Sequence, residues 1–342
     1  MKKKSNKASL IVCACAFVFT VVYLAVFDSG IFNSLGKIKF GYLLIAIAFM
    51  GIYWLLEAAS LHVVTKSVHP EQKFKHTFLV SILGQYYNCI TPFASGGQPI
   101  QAYYMVRYGT PLGSSMTALL AKFIVYQFVL TLYSAVVLVC GSLTFVGSAE
   151  MLVLTIIGFV INFAVIIGLL VLAFAKKAAV RIAHGIIALL AKIRIVKDKD
   201  AKIKFIDEEM DAYHKDFIFI KQQPIVVLKM VIMTVLQLTV YFSISYVLYL
   251  GFGLSGTSWF TIISCQAYVL MISAFVPLPG ALGAAEGSYA AFYSGIFGAY
   301  VGISTFIWRF LTFYLPIIIG LVTTLCMSRH EKKKMIATEA DE

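Results

Sequence analysis

The chain has 342 residues, 60% of them hydrophobic and 13% charged, with a mean hydropathy of +0.88 and a formal net charge of +12. Soluble domains carry about 25% charged residues, so this composition excludes a soluble domain with one anchor and indicates an integral membrane protein. The charge is not laid out for nucleic acid: Lys and Arg gather at the ends of apolar blocks and in one central hydrophilic stretch, as positive-inside topology and anionic headgroups require.

The chain opens with MKKKSNKASL and an apolar run. That run is longer than a signal core of about 7–15 residues, and no small-residue cleavage site follows it. It reads as an uncleaved helix over 8–27. Further apolar blocks predict helices over 41–64, 114–142, 150–175, 224–250, 257–278, 284–303 and 304–327, each near the ~20 residues that span a bilayer. Two stretches interrupt this series. Residues 76–104 are apolar but broken by Asn88, Pro92, Gly96, Gly97 and Pro99, and PLPGALGAAEGS over 277–288 breaks the later region. The expected fold is an all-α, polytopic membrane bundle of about eight transmembrane helices with re-entrant or broken segments. The order Pro, Gly, polar residue, new apolar run recurs at both breaks, which suggests an internal repeat without establishing one.

Orientation follows from the basic residues. Lys2, Lys3, Lys4 and Lys7, the eleven Lys or Arg of 176–221, and Arg329, Lys332, Lys333 and Lys334 all fall on the inner side, while 143–149 and 251–256 hold none and face outward. Lys37 and Lys39 are discordant. Both termini are therefore expected in the cytoplasm. Eight crossings satisfy this if 76–104 enters and leaves from the cytoplasmic face. Residues 1–330 read as one membrane domain with a cytoplasmic loop, 176–222, and 331–342 as a short tail. In that loop Ile182, Ile186, Leu189 and Ile193 share a helical face, suited either to the inner leaflet or to packing on the bundle.

The six cysteines form no CxxC pair and the histidines no metal-binding cluster, so no disulfide, metal or cofactor is expected. No P-loop, GxSxG or paired-carboxylate pattern is present.

The breaks carry most of the chemical information. Broken backbone survives at membrane depth only when buried in protein or lining a wet cavity. Pro92 and Pro99 remove donors, Gly96 and Gly97 permit close approach, and Thr91, Ser95, Gln98 and Gln101 bring neutral polar groups. A helix beginning after Pro99 would aim free N–H groups at the break and favour an anion. Pro279, Gly280, Gly283 and Glu286 repeat the chemistry in the second half. Paired interrupted segments point to a midplane site in transporters, although two tight interhelical turns would also fit. Four ionisable residues lie inside apolar blocks: Glu57, Lys122, Glu286 and Arg309. Each costs about 2.5–3.5 kcal/mol or more at the bilayer centre, which mutual pairing would offset. Arg309 is the leading phosphate contact, Lys122 a second, and Glu286 an opposing partner or holder of a cationic headgroup; structural pairing alone is the competing reading for all of them.

NCITPFASGGQPIQAYYM (88–105) and PLPGALGAAEGSYAAFY (277–293), with Arg309 and Pro316, resemble the lysylphosphatidylglycerol synthase transmembrane region family, also called flippase-like. The likeness covers roughly residues 5–330 and includes the membrane half of the multiple peptide resistance factor. It implies lipid translocation in a bacterial plasma membrane, of lysyl-phosphatidylglycerol or another phosphate-bearing lipid, lowering surface negative charge and adding resistance to cationic peptides. The expected partner is a membrane phospholipid or polyprenyl-phosphate lipid. No aminoacyltransferase domain follows the membrane region before Glu342, so lysyl transfer by this chain alone is not expected. The alternatives are a phosphatidylglycerol lysyltransferase, alone or with a separate aminoacyltransferase or synthase subunit and then using lysyl-tRNA, and a lipid-binding scaffold that transports nothing. A homo-oligomer stays open, and no nucleic-acid partner is otherwise expected.

Overall fold

The computed structural model describes residues 36–140, 149–174, 215–274 and 276–340, with scattered positions between 180 and 208. The helix expected over 8–27 and most of the loop 176–214 lie outside the described residues. Among the described residues the secondary structure is helical throughout, with no strand. Ten helices follow in order: α1 (Phe40–Val68), α2 (Phe74–Ile90), α3 (Gly97–Arg107), α4 (Leu112–Val139), α5 (Ala149–Phe174), α6 (Pro224–Gly251), α7 (Trp259–Ser273), α8 (Ala284–Phe297), α9 (Val301–Arg309) and α10 (Leu315–Ala340). A π-turn over Phe310–Tyr314 joins α9 to α10. Pro316 stands two residues beyond it; its missing N–H removes one ladder bond, which the wider turn accommodates.

Five stretches are long and apolar enough to cross a membrane: Phe40–Val68, Leu112–Val139, Val153–Val171, Pro224–Gly251 and Pro279–Met327. The chain is a multi-pass membrane protein. Its helices α2, α3, α7 and α8 have 17, 11, 15 and 14 residues. At 1.5 Å per residue they reach about 16–26 Å, short of the ~30 Å hydrocarbon core.

These short helices form two hairpins. In the first, His76 of α2 stacks on Tyr108 just past α3 at 4.2 Å, Gly84 lies against Gln101, and Asn88 meets Gly97 near the tip. The chain thus turns back on itself at Pro92–Ala94, and 76–104 folds as a hairpin, the shape that the expected re-entrant segment requires. The second hairpin corrects the expectation of two full crossings over 257–278 and 284–303. The Tyr293 hydroxyl of α8 donates to the Ile262 carbonyl of α7 at 2.6 Å, Tyr268 packs on Phe292 at 5.5 Å, and the reversal comes at Pro279–Ala281. Hydropathy alone could not register this reversal, because both arms are apolar along their length.

The two halves share one element order: a long helix, a hairpin with a proline tip, then a long helix. The tips match in backbone as well. Thr91 and Leu278 are extended (φ −117°, ψ 146° and φ −108°, ψ 148°), a proline follows each, and the next two residues take positive φ: Phe93 53° and Ala94 51°, Gly280 59° and Ala281 51°. Both tips read Pro-x-Ala-x-Gly, 187 positions apart (92 to 279). Because α8 is longer than α3, the fourth helix starts at 112 in one half and 301 in the other, two positions beyond that shift.

The first helices of the halves, α1 and α6, run antiparallel. The Lys39 N–H donates to the Gly251 carbonyl at 2.9 Å, the Tyr53 and Tyr241 rings lie 5.2 Å apart, and Gln237 Nε2 donates to Glu57 Oε2 at 2.6 Å. The end of α1, where the first hairpin begins, therefore lies opposite the end of α6, where the second begins. The hairpins enter from opposite faces, and their tips touch inside the bundle. The repeat is inverted.

Candidate functional site

Where the tips meet, a cavity of about 720 Å³ opens between α4, α5, α7 and α9, within the range of small-ligand sites. Phe93, Ala94, Gly280 and Ala281 bring the tip backbone to its wall. Three of these are non-glycine residues at positive φ, a strained conformation that persists where the surroundings dictate it and that gathers at functional sites. Gly280 has a second reason to lack a side chain: a Cβ there would fall 2.1 Å from the Phe313 ring.

Arg309 is the charged residue of the cavity lining, and it is only 5% exposed. Its Nε donates to Glu286 Oε1 at 2.6 Å, its Nη2 donates to the Gly280 carbonyl, and its guanidinium lies 4.5 Å from the Phe313 ring centre. The other Glu286 oxygen accepts the Gly283 N–H at 2.8 Å. Glu286 thus caps α8 and holds Arg309 at once, and its zero exposure keeps it behind the cavity wall. Among the described residues Nη1 has no hydrogen-bond partner, so one edge of the fork is open to a ligand.

The other polar lining groups are neutral. Gln127 Nε2 donates to Asn162 Oδ1 at 2.5 Å, linking α4 to α5, and Asn162 Nδ2 donates to the Gly158 carbonyl at 2.8 Å. Gln266 Oε1 accepts from the Ser245 hydroxyl at 2.8 Å. Among the described residues the buried Trp308 indole N–H has no partner. Asn88, Tyr126, Tyr241, Ser273 and Thr312 complete the polar lining, against Leu130, Val165, Val269 and Leu270.

Of the residues singled out in the sequence, Asn88, Gly280 and Arg309 line this cavity. Glu286 stands one contact behind. Lys122 is elsewhere: its Nζ is bonded to Glu57 Oε1, with Gln237 on the second Glu57 oxygen. Both intramembrane acids are thus paired with the two intramembrane bases, as the cost of burying lone charges requires. The first tip also differs from expectation. Helix α3 begins at Gly97, not after Pro99, and its first N–H groups are already satisfied: Asn88 Oδ1 accepts from Gly97 at 2.9 Å and Thr91 Oγ1 from Gly96 at 2.8 Å. Those two N–H groups are therefore engaged within the chain. Ser95 donates to the Pro92 carbonyl at 2.9 Å, Gln98 is exposed, Gln101 is buried against Gly84, and Pro279 begins the second tip turn. The residues sequence reasoning passed over are Gln127, Asn162, Gln266 and Trp308. The signal for the first three was present, since an amide in the middle of an apolar helix needs a partner.

The family model described as lysylphosphatidylglycerol synthase TM region matches residues 10–320. A UPF0104 membrane protein of Archaeoglobus fulgidus is 22% identical over 288 residues, covering 82% of this chain and 86% of that protein.

Proposed function

The chain belongs to the lysylphosphatidylglycerol synthase TM region family, and on that premise we propose that it moves a phosphate-bearing lipid from one leaflet to the other. The observation that carries this reading is Arg309, an always-charged fork with one free edge, set in a cavity between two hairpin tips. Guanidinium geometry matches a phosphate oxygen pair. The Glu286 carboxylate offsets the cost of burying Arg309 when no headgroup is bound and aims its free edge inward. Neutral amides and hydroxyls suit the glycerol or sugar hydroxyls next to such a phosphate, and the apolar wall suits the first methylenes of the tails. The family's name favours lysyl-phosphatidylglycerol as cargo, with cell-surface charge and cationic-peptide resistance as the outcome. Phosphatidylglycerol and polyprenyl phosphates share the headgroup chemistry on which the reading rests.

A plasma-membrane orientation with cytoplasmic termini agrees with the charges at the two faces. Lys66, Lys73, Lys75, Arg107 and Lys221 lie where α1 ends and α4 and α6 begin; residues 252–258 and 298–300 have no charge, although the discordant Lys37 and Lys39 lie on their side.

Proteoliposomes carrying fluorescent phosphatidylglycerol or its lysyl derivative test the proposal. Transfer between leaflets by the unchanged protein, strongly reduced by Arg309→Lys at equal protein content, is the expected result. Transfer at the rate of empty vesicles would refute it.

A further inference from the structure

The four charges inside the apolar helices sum to zero. Glu57 with Lys122, and Glu286 with Arg309, form two closed pairs. A phosphodiester headgroup at Arg309 adds one negative charge that the cavity wall does not cancel, since Arg309 is the charged residue of the lining and already faces Glu286. Charge left over in a low-dielectric interior is costly. Balance returns if one proton enters with each monoanionic headgroup and settles on a buried carboxylate.

Glu286 is poorly placed to take it. Its carboxylate accepts the Gly283 N–H at 2.8 Å and the Arg309 Nε–H at 2.6 Å, so a proton there would weaken the cap of α8 and the hold on Arg309 together. Glu57 differs. Lys122 donates to its Oε1, and Gln237 Nε2 donates to its Oε2 at 2.6 Å. The Gln237 oxygen, however, is buried and has no hydrogen-bond partner among the described residues. An amide offers donors on one side and an acceptor on the other, and a half-turn about its last bond exchanges them. As it stands, Gln237 fits an ionised Glu57. Turned over, its oxygen accepts from a protonated Glu57, and the Tyr53 hydroxyl lies within hydrogen-bonding reach of the same amide. One residue thus serves both protonation states of the acid, which a purely structural ion pair does not need.

Two tyrosines join this pair to the cavity. Tyr126 is within electrostatic reach of Glu57, and Tyr241 of Arg309. Both line the cavity, and the Tyr241 ring packs on Tyr53 at 5.2 Å. The titratable groups around Glu57 are therefore Lys122 and Tyr126 from α4, Tyr53 from α1 itself and Tyr241 from α6. Helix α2 adds Gln85, which donates to the Tyr53 hydroxyl at 3.4 Å, and the Cys89 thiol near Tyr241; the π-turn adds Thr312, on Tyr241. The Lys122 ammonium already holds the place beside the carboxylate that a metal cation would need, which leaves the proton as the coupling ion.

We propose that Glu57 is the coupling-proton site of lipid transfer. Its carboxylate takes one proton from water as a monoanionic headgroup enters the Arg309 cavity, the O–H bond forming as Gln237 turns. That bond breaks, and the proton returns to water, when the headgroup leaves on the other side. One proton and one phosphodiester lipid cross together and carry no net charge. The proposal rests on the reading of the Arg309 cavity as a lipid-phosphate site. Where the outer side is the more acidic, the coupling draws anionic lipid from the outer leaflet to the inner, which lowers the negative charge of the outer surface.

The full-length protein in vesicles containing fluorescent phosphatidylglycerol tests this, with a pH gradient and a membrane potential imposed separately. A gradient of one pH unit is expected to enrich the labelled lipid in the leaflet facing the alkaline side, by up to about tenfold. A potential alone is expected to leave the leaflet ratio unchanged. Transfer that ignores the pH gradient, or that follows the potential, overturns the coupling and leaves lipid transfer standing. Absence of phosphatidylglycerol transfer under every condition removes both. Glu57→Gln imitates the protonated acid, and Glu57→Gln with Lys122→Met removes the pair's two charges. In either variant the leaflet ratio should be indifferent to the pH gradient, whatever the rate of transfer; a ratio that still follows the gradient overturns the role of Glu57. If neither variant folds, proton uptake by the unchanged protein decides, measured in weakly buffered detergent as short-chain phosphatidylglycerol binds. About one proton per lipid bound is expected from the charge balance, and none overturns the proposal.

Discussion

Arg309 and Lys122 sit in membrane helices at equal distances from their tips, yet their surroundings differ. Arg309 shares its charge among a carboxylate, a carbonyl and an aromatic face and keeps one edge free. Lys122, a compact point charge, is spent on Glu57. Truncating Arg309 is for that reason a poor test of function. It leaves Glu286 buried without a counter-charge, and breaking a buried pair costs about 3–5 kcal/mol. Arg309→Ala should unfold at a distinctly lower temperature in detergent than Arg309→Lys, which keeps the charge opposite Glu286 and loses the fork. If both variants melted alike, Glu286 would not depend on a cation. Gly280→Ala should behave as a tip defect, because it places a methyl in the Phe313 ring and forces a positive φ on a side-chain-bearing residue. Reduced melting temperature together with loss of lipid transfer is the expected outcome.

Among elements, the tips owe their shape to local chemistry and their position to close packing. Asn88 caps Gly97 across the first tip, and removing a side-chain cap typically costs about 0.5–2 kcal/mol. Asn88→Ala should lower stability by that order, as read from thermal unfolding, with Asn88→Asp retaining most of it. Close approach fixes the arms. A Cβ at Gly158 of α5 would stand 2.5 Å from the Met271 carbonyl oxygen of α7, and one at Gly320 of α10 2.2 Å from Tyr86 Cβ. Gly158→Ala therefore has no flexible neighbour to move and should cost about 1–3 kcal/mol, measurable as a drop in melting temperature. The first hairpin was legible because Asn88, Pro92, Gly96, Gly97 and Pro99 crowd into one apolar block. The second was legible only as a break. Its arms are uniformly apolar, and nothing local distinguishes an arm that stops halfway from one that crosses.

For the whole molecule, the inverted repeat predicts topology independently of charge counting. Reporters inserted at 69–73 and at 252–258 should lie on opposite faces of the membrane, because α1 and α6 are antiparallel and each insertion follows one of them. A shared face for the two reporters would be incompatible with hairpins entering from opposite sides. Composition, hydropathy and the Pro-Gly breaks by themselves determined that this is a helical, multi-pass membrane protein, which family it joins, and that its few intramembrane charges carry a cost that pairing would offset. Those are consequences of solvation and backbone geometry, which act residue by residue. Which charge pairs with which, that α7 and α8 turn back midway, and that Arg309 rather than Lys122 faces the cavity were decided only by the tertiary structure. The reason is physical: these outcomes depend on how helices far apart in sequence approach one another in space, and an apolar helix carries the same hydropathy whichever neighbour it meets.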